Sequence, residues 1–147
     1  MKQKLQSWQP IKDVGEVFQS SISYQPKKGL HLKIEDTSGY HIDVMYDRIS
    51  AIQDYIWTYR FTKTCDRKDI LDLADVVEQS KQTSDRANHI FYKMHQSNFL
   101  AWYDSLPWLG SKDIPGVEHH LYICGEYIYE VISDYEPLFH ASRTNED

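Results

Sequence analysis

The sequence predicts an α+β domain: an antiparallel or mixed β-sheet of about six strands, built from hairpins, with two helices packed on one side. Three observations carry this reading. Apolar residues alternate on both arms of residues 30–46, aromatic and β-branched residues fill residues 119–133, and two segments between them follow a helical period. No repeat, low-complexity run or long linker divides the chain, so residues 1–147 are read as one domain.

The first strand candidate lies within residues 14–24 and ends at Pro26, which cannot continue a ladder. The hairpin that follows is the clearest element. Leu30, Leu32 and Ile34 alternate on one arm, and Tyr40, Ile42 and Val44 on the other. Thr37, Ser38 and Gly39 fit a three-residue loop whose last position needs positive φ. This register sets Ile34 opposite Ile42, Leu32 opposite Val44 and Lys33 opposite Asp43, an opposite-charge pair.

Residues 55–62 are rich in aromatic and β-branched types, which suits a strand, although Ile49, Ile52, Tyr55, Ile56 and Tyr59 also fit a helical period. Composition decides for strand. Residues 68–79 place Ile70, Leu73, Ala74 and Val77 on one helical face. Residues 78–88 are polar and read as a surface loop. A short strand is expected over residues 89–94. The second helix opens at Ser97, a good N-cap, carries Phe99, Leu100, Tyr103 and Leu106, and stops at Pro107.

The second hairpin turns at Gly125 and Glu126, where glycine in the first loop position suits a type II′ turn. Ile123 then faces Ile128, and Tyr122 faces Tyr129. Leu121, Ile123, Ile128 and Ile132 share one face; Tyr122, Tyr127, Tyr129 and Val131 share the other. Two apolar faces imply central strands covered on both sides.

Composition narrows the function. The chain has 147 residues, 41% of them hydrophobic, enough for a core without a metal or disulfide staple. No run approaches the ~18 apolar residues of a membrane span. Lys2 and Lys4 are followed by no apolar stretch of signal-peptide type, which points to the cytoplasm and to no membrane partner. Cys65 and Cys124 have no second thiol nearby and read as two reduced thiols. The net charge of −6 speaks against a nucleic-acid partner and is compatible with a basic protein. Eleven Tyr, four Trp and five Phe supply both core and interface anchors.

No phosphate-binding glycine loop, nucleophile elbow or zinc helix occurs, so no catalytic residue and no cofactor is assigned. His119 and His120 are neighbours on one strand and point to opposite faces, so they do not share an ion. His31 and His41, with Glu35 and Asp43, lie on the polar face of the first hairpin, where solvated side chains are the commoner reading; no metal is assigned. Glu130 falls among Ile123, Ile128 and Ile132, where a carboxylate must be paired or protonated. It reads either as an acid or binding anchor, or as a group at the sheet margin bonded to a Tyr or Arg, with no second catalytic group beside it. Acidic and aromatic residues interleave at Glu126, Tyr127, Glu130, Asp134, Tyr135 and Glu136, the candidate binding surface for a basic protein.

His119-His120-Leu121-Tyr122-Ile123, then Tyr129-Glu130-Val131-Ile132-Ser133 and Glu136-Pro137, with upstream Phe91-Tyr92-Lys93, Ser97, Phe99 and Leu100, carry a resemblance. So does the arm from Leu32 through Asp36 with Ile42, Asp43 and Val44. The chain resembles the small proteins found beside wall-associated and other polymorphic toxins in Bacillus-type bacteria. Some of those are immunity proteins that bind the toxin's C-terminal domain, often a nuclease, and block it. Residues 1–28 and 63–88 stand outside the likeness. The resemblance implies a cognate toxin domain as partner and no catalytic residues. The alternatives are a small-ligand domain with an aromatic-lined pocket, in which Glu130 orients the ligand, and a self-associating structural protein.

Overall fold

The computed structural model describes residues 2–81, 89–108 and 110–143. In chain order these form β1 (Lys4–Ser7), β2 (Val17–Gln25), β3 (Gly29–Asp36), β4 (Tyr40–Tyr46), β5 (Thr58–Lys63), α1 (Lys68–Ser80), β6 (Phe91–His95), α2 (Asn98–Asp104), β7 (Glu118–Cys124), β8 (Tyr127–Ser133) and β9 (Leu138–Arg143). A 3-10 turn, Thr64–Asp66, precedes α1.

The α+β class holds, but the expected single sheet of about six strands is corrected. The described strands form two sheets, five-stranded in the order β1-β6-β7-β8-β5 and four-stranded in the order β2-β3-β4-β9. All pairings are antiparallel. The physical reason lies in the two apolar faces of β7 and β8, which need two separate covers. Leu121, Ile123 and Ile128 pack with Ile70, Leu73, Ala74 and Val77 of α1, and Ile132 packs with Phe99 and Leu100 of α2. Both helices thus lie on one side, as expected. Tyr122, Cys124, Tyr129 and Val131 instead meet Leu30, Leu32, Ile34, Ile42, Val44 and Tyr46 of the second sheet.

The hairpin of β3 and β4 keeps the expected register, including Lys33 opposite Asp43, and Gly39 has φ 87°. Asp36 organises its turn: it is buried and accepts N–H bonds from Gly15, Ser38 and Tyr40 at 2.8–2.9 Å. Those donors hold its carboxyl below the usual range against the opposing effect of burial. The second hairpin pairs Ile123 with Ile128 and Tyr122 with Tyr129. Gly125 takes φ 64° while Glu126 stays at negative φ, the type II′ pattern.

Other boundaries shift. The strand expected over residues 55–62 begins at Thr58, and residues 47–57 form the crossing from one sheet to the other. The polar loop expected over residues 78–88 is helical at its start, because α1 runs through Ser80. Glu78 there accepts from Lys81 Nζ at 2.7 Å and Tyr92 Oη at 2.6 Å. Residues 82–88 lie outside the described residues. Both β1 and β9 are additions to the sequence reading. Each is a sheet edge, and β1 offers only Leu5 as an apolar residue in four.

Candidate functional site at an open corner of the sandwich

The six residues expected to form one surface do not share one. Glu126 and Tyr127 stand at the start of β8, and Asp134, Tyr135 and Glu136 follow its end. Six strand residues, 128–133, lie between the two groups and set them about 24 Å apart. Glu130 lies between them with no exposed surface.

In the group beyond β8, Asp134 and Tyr135 hold the crossing segment and Glu136 holds β6. Asp134 Oδ2 accepts the Ala51 N–H at 2.7 Å. Tyr135 Oη accepts the Arg48 N–H at 3.1 Å and lies 2.7 Å from the Tyr55 carbonyl oxygen, to which it donates. Glu136 pairs with Lys93 Nζ at 3.3 Å, and Lys93 also meets Glu118 at 3.0 Å. These three side chains are structural ties.

Glu130 is not at a sheet margin. It occupies the middle of β8, with β7 on one side and β5 on the other. Arg60 grips it with two bonds, 2.7 Å to Oε2 and 3.2 Å to Oε1, and Arg67 adds a third at 2.8 Å. His119 Nε2 lies 3.0 Å from Oε1. The expected arginine partner is present twice over, as Arg60 and Arg67, but the expectation that no group of catalytic type stands beside Glu130 is corrected by His119. These donors hold its carboxyl far below the usual carboxylate range despite complete burial.

The chain continues to Ser97, whose Oγ lies 2.6 Å from His119 Nδ1. A carboxylate can only accept, so the proton sits on His119 Nε2, and Ser97 donates to Nδ1. Hydroxyl, imidazole and carboxylate in series is the order used in acyl transfer. Three features set this series apart from such a site. His119 is 2% exposed, and burial together with the nearby guanidiniums lowers its pKa, so the imidazolium a general base must become is disfavoured. Ser97 Oγ already accepts the Leu100 N–H at 2.9 Å as the N-cap of α2. The Asn98 N–H, next in line for an oxyanion, donates to Gln3 Oε1 at 2.8 Å. The series is a strut joining α2, β7, β8 and β5.

His120 points the other way, as strand geometry requires. Its Nε2 meets Glu118 at 3.0 Å, and its Nδ1 meets Tyr46 Oη at 2.7 Å, which in turn meets Tyr122 Oη at 2.5 Å. His120 and Lys93 hold the Glu118 carboxyl down to about 2. His31 bonds to Asp43 at 2.8 Å and His41 to Glu35 at 3.4 Å, two separate pairs. Among the described residues no three His, Cys, Asp or Glu side chains are gathered for a metal ion.

A groove of about 690 Å3 runs beside α2, lined by Lys93, Ser97, Leu100, Asp104, Glu118 and His119 among others, without a Tyr, Trp or Phe. It is not the aromatic-lined pocket that a small-ligand reading expects.

Glu126 and Tyr127 belong to a different feature. Gly125, at the tip of the β7–β8 turn, abuts Val17 of β2, and Thr64 donates its N–H to the Glu126 carbonyl at 2.9 Å. Glu16, Phe18, Glu126 and Tyr127 line a shallow cavity of about 400 Å3 there. Phe61 of β5 packs on Tyr127 and Tyr129 with ring centroids 6.1 and 6.3 Å away. Phe61 is nonetheless 56% exposed, and Phe18 is 67% exposed. Glu16 and Glu126 are exposed beside them. Residue-type reading missed Phe18, Phe61 and Glu16, because their proximity depends on how the two sheets meet.

No family model, curated protein or solved structure matches the chain.

Proposed function

We propose that this chain is a non-enzymatic binding protein, most concretely an immunity protein that masks a cognate basic toxin domain, such as a nuclease, by covering it. The supporting observation is the corner where exposed Phe18 and Phe61 stand beside Tyr127, Glu16 and Glu126. Large aromatics cost solubility when left in water, and rigid aromatics are the anchors that dominate protein interfaces. Carboxylates beside them match a basic cleft, standing where a nuclease accepts phosphate. The net charge of −6 steers such a partner towards the chain.

The test is a pull-down and titration with the toxin domain encoded next to this chain. A complex is expected at micromolar concentration or below. Glu16→Lys with Glu126→Lys slows association most at low salt, and Phe61→Ala speeds dissociation on the order of tenfold. Absence of a complex at low salt, or full affinity in both variants, would reject the reading.

A further inference from the structure

The sandwich is uneven. Five strands face four, and the surplus strand on the β2 side is β5. Tyr59, Phe61 and Lys63 of β5 pair with Val131, Tyr129 and Tyr127, so they share the face that looks towards the second sheet. β2 lies beneath β8, where Ser20 Oγ meets Tyr129 Oη at 2.8 Å. It reaches β5 only at one end, where the Tyr24 and Tyr59 rings stand 6.1 Å apart. Beyond that point nothing described covers β5, and Phe61 is on an inward face yet 56% exposed.

The strand next to this gap is an open edge. Natural edges carry lysine, proline or other charge to prevent unwanted pairing. Three of the four edge strands follow that rule, with Lys4 in β1, Arg60 and Lys63 in β5, and Arg143 in β9. β2 reads Val-Phe-Gln-Ser-Ser-Ile-Ser-Tyr-Gln over nine residues, with no charge and no proline. Its one blunting feature is the bulge between Val17 and Gln19, at the exposed Phe18; from Gln19 to Gln25 the strand pairs regularly and its outer edge carries no such device.

We infer that β2 receives an extended segment of the partner as a fifth strand, completing the four-stranded sheet beneath β5; this rests on the binding reading above. Main-chain bonds to the free edge supply affinity, and alternate side chains supply specificity. The segment places apolar residues against Phe61 and Tyr59, and Lys or Arg beside Glu16 and Glu126. A second copy of this chain fits poorly. Antiparallel pairing of two β2 strands, the arrangement of every pairing among the described strands, puts both inner faces on the same side, and the two overhanging β5 strands then claim the same space.

Hydrogen exchange of the full chain, alone and with the adjacently encoded toxin domain, tests the inference. Slowed exchange in β2 is expected on complex formation. Ser21→Lys with Ser23→Lys, both at exposed positions, is expected to weaken the complex on the order of tenfold without changing the melting temperature. A complex that forms with β2 exchange unchanged and with full affinity for the double-lysine variant overturns strand addition and leaves the binding role standing. Failure to form any complex overturns both.

Discussion

Glu130 has no exposed surface, and every one of its partners comes from a distant part of the sequence or the opposite arm of its hairpin. Arg60 is 70 residues away and Arg67 is 63, so neither could be assigned to it by spacing. The alternation of β8 did place a carboxylate on the apolar face, which was readable; that the face also holds two guanidiniums was not. Removing one partner of a buried ion pair leaves uncompensated charge and costs about 3–5 kcal/mol. Glu130→Ala is expected near the lower end, about 3 kcal/mol, because Arg60 stays 40% exposed and can rehydrate while Arg67, at 13%, cannot readily do so. Urea unfolding measures this. A loss under about 1 kcal/mol would mean the network contributes no more than a surface pair.

Among the elements, the two hairpins were legible because their partners are close in sequence and their turns carry the glycines their geometry needs. Strands β1 and β9 were not, since β1 takes its identity from β6 and β9 from β4. Helix α2 was legible through Ser97, yet the same hydroxyl has a second duty towards His119 that no local pattern encodes. Ser97→Ala therefore removes a cap, about 1 kcal/mol, and leaves a buried imidazole nitrogen unpaired, about 1–3 kcal/mol more. The expected total is about 2–3 kcal/mol by urea unfolding, with most of it restored by Ser97→Thr, which keeps the oxygen. Equal destabilisation by both variants would show that the hydroxyl is not the cause.

For the molecule as a whole, local patterns identify the hairpins without saying which of them share a sheet; only the faces they bury against each other decide that. Acid sensitivity is a property of the same scale. His119 and His120 are both lowered below 6.5, chiefly by burial. Between their folded values and 6.5 the unfolded chain binds more protons, so stability falls as pH drops through that window. Glu118, held at about 2, and Glu130, lower still, act below their ordinary 4.5: the stability they contribute is full above that value and lost as pH falls towards their folded values. At the other extreme, Tyr24 and Tyr135 are raised from 10.0 to about 12, so stability falls as pH rises above 10. Urea midpoints across the range should fall from neutrality towards acid in two stages, the first beginning near 6.5. A midpoint unchanged between neutral pH and pH 5 would contradict the histidine stage.

The chain enters the five-stranded sheet with β1, leaves it for β2 to β4, returns for β5 to β8 and departs again for β9. On the ribosome this order imposes a delay. Lys4 can meet His95 only after the intervening chain has been translated, a wait on the order of ten seconds at ordinary elongation rates. Until then the nascent β1 has no neighbour, and β4 likewise lacks β9 until residues 138–143 have been added. Two unsatisfied ladders are thus presented together during biosynthesis, and they are the places where a chaperone would engage an unfinished copy.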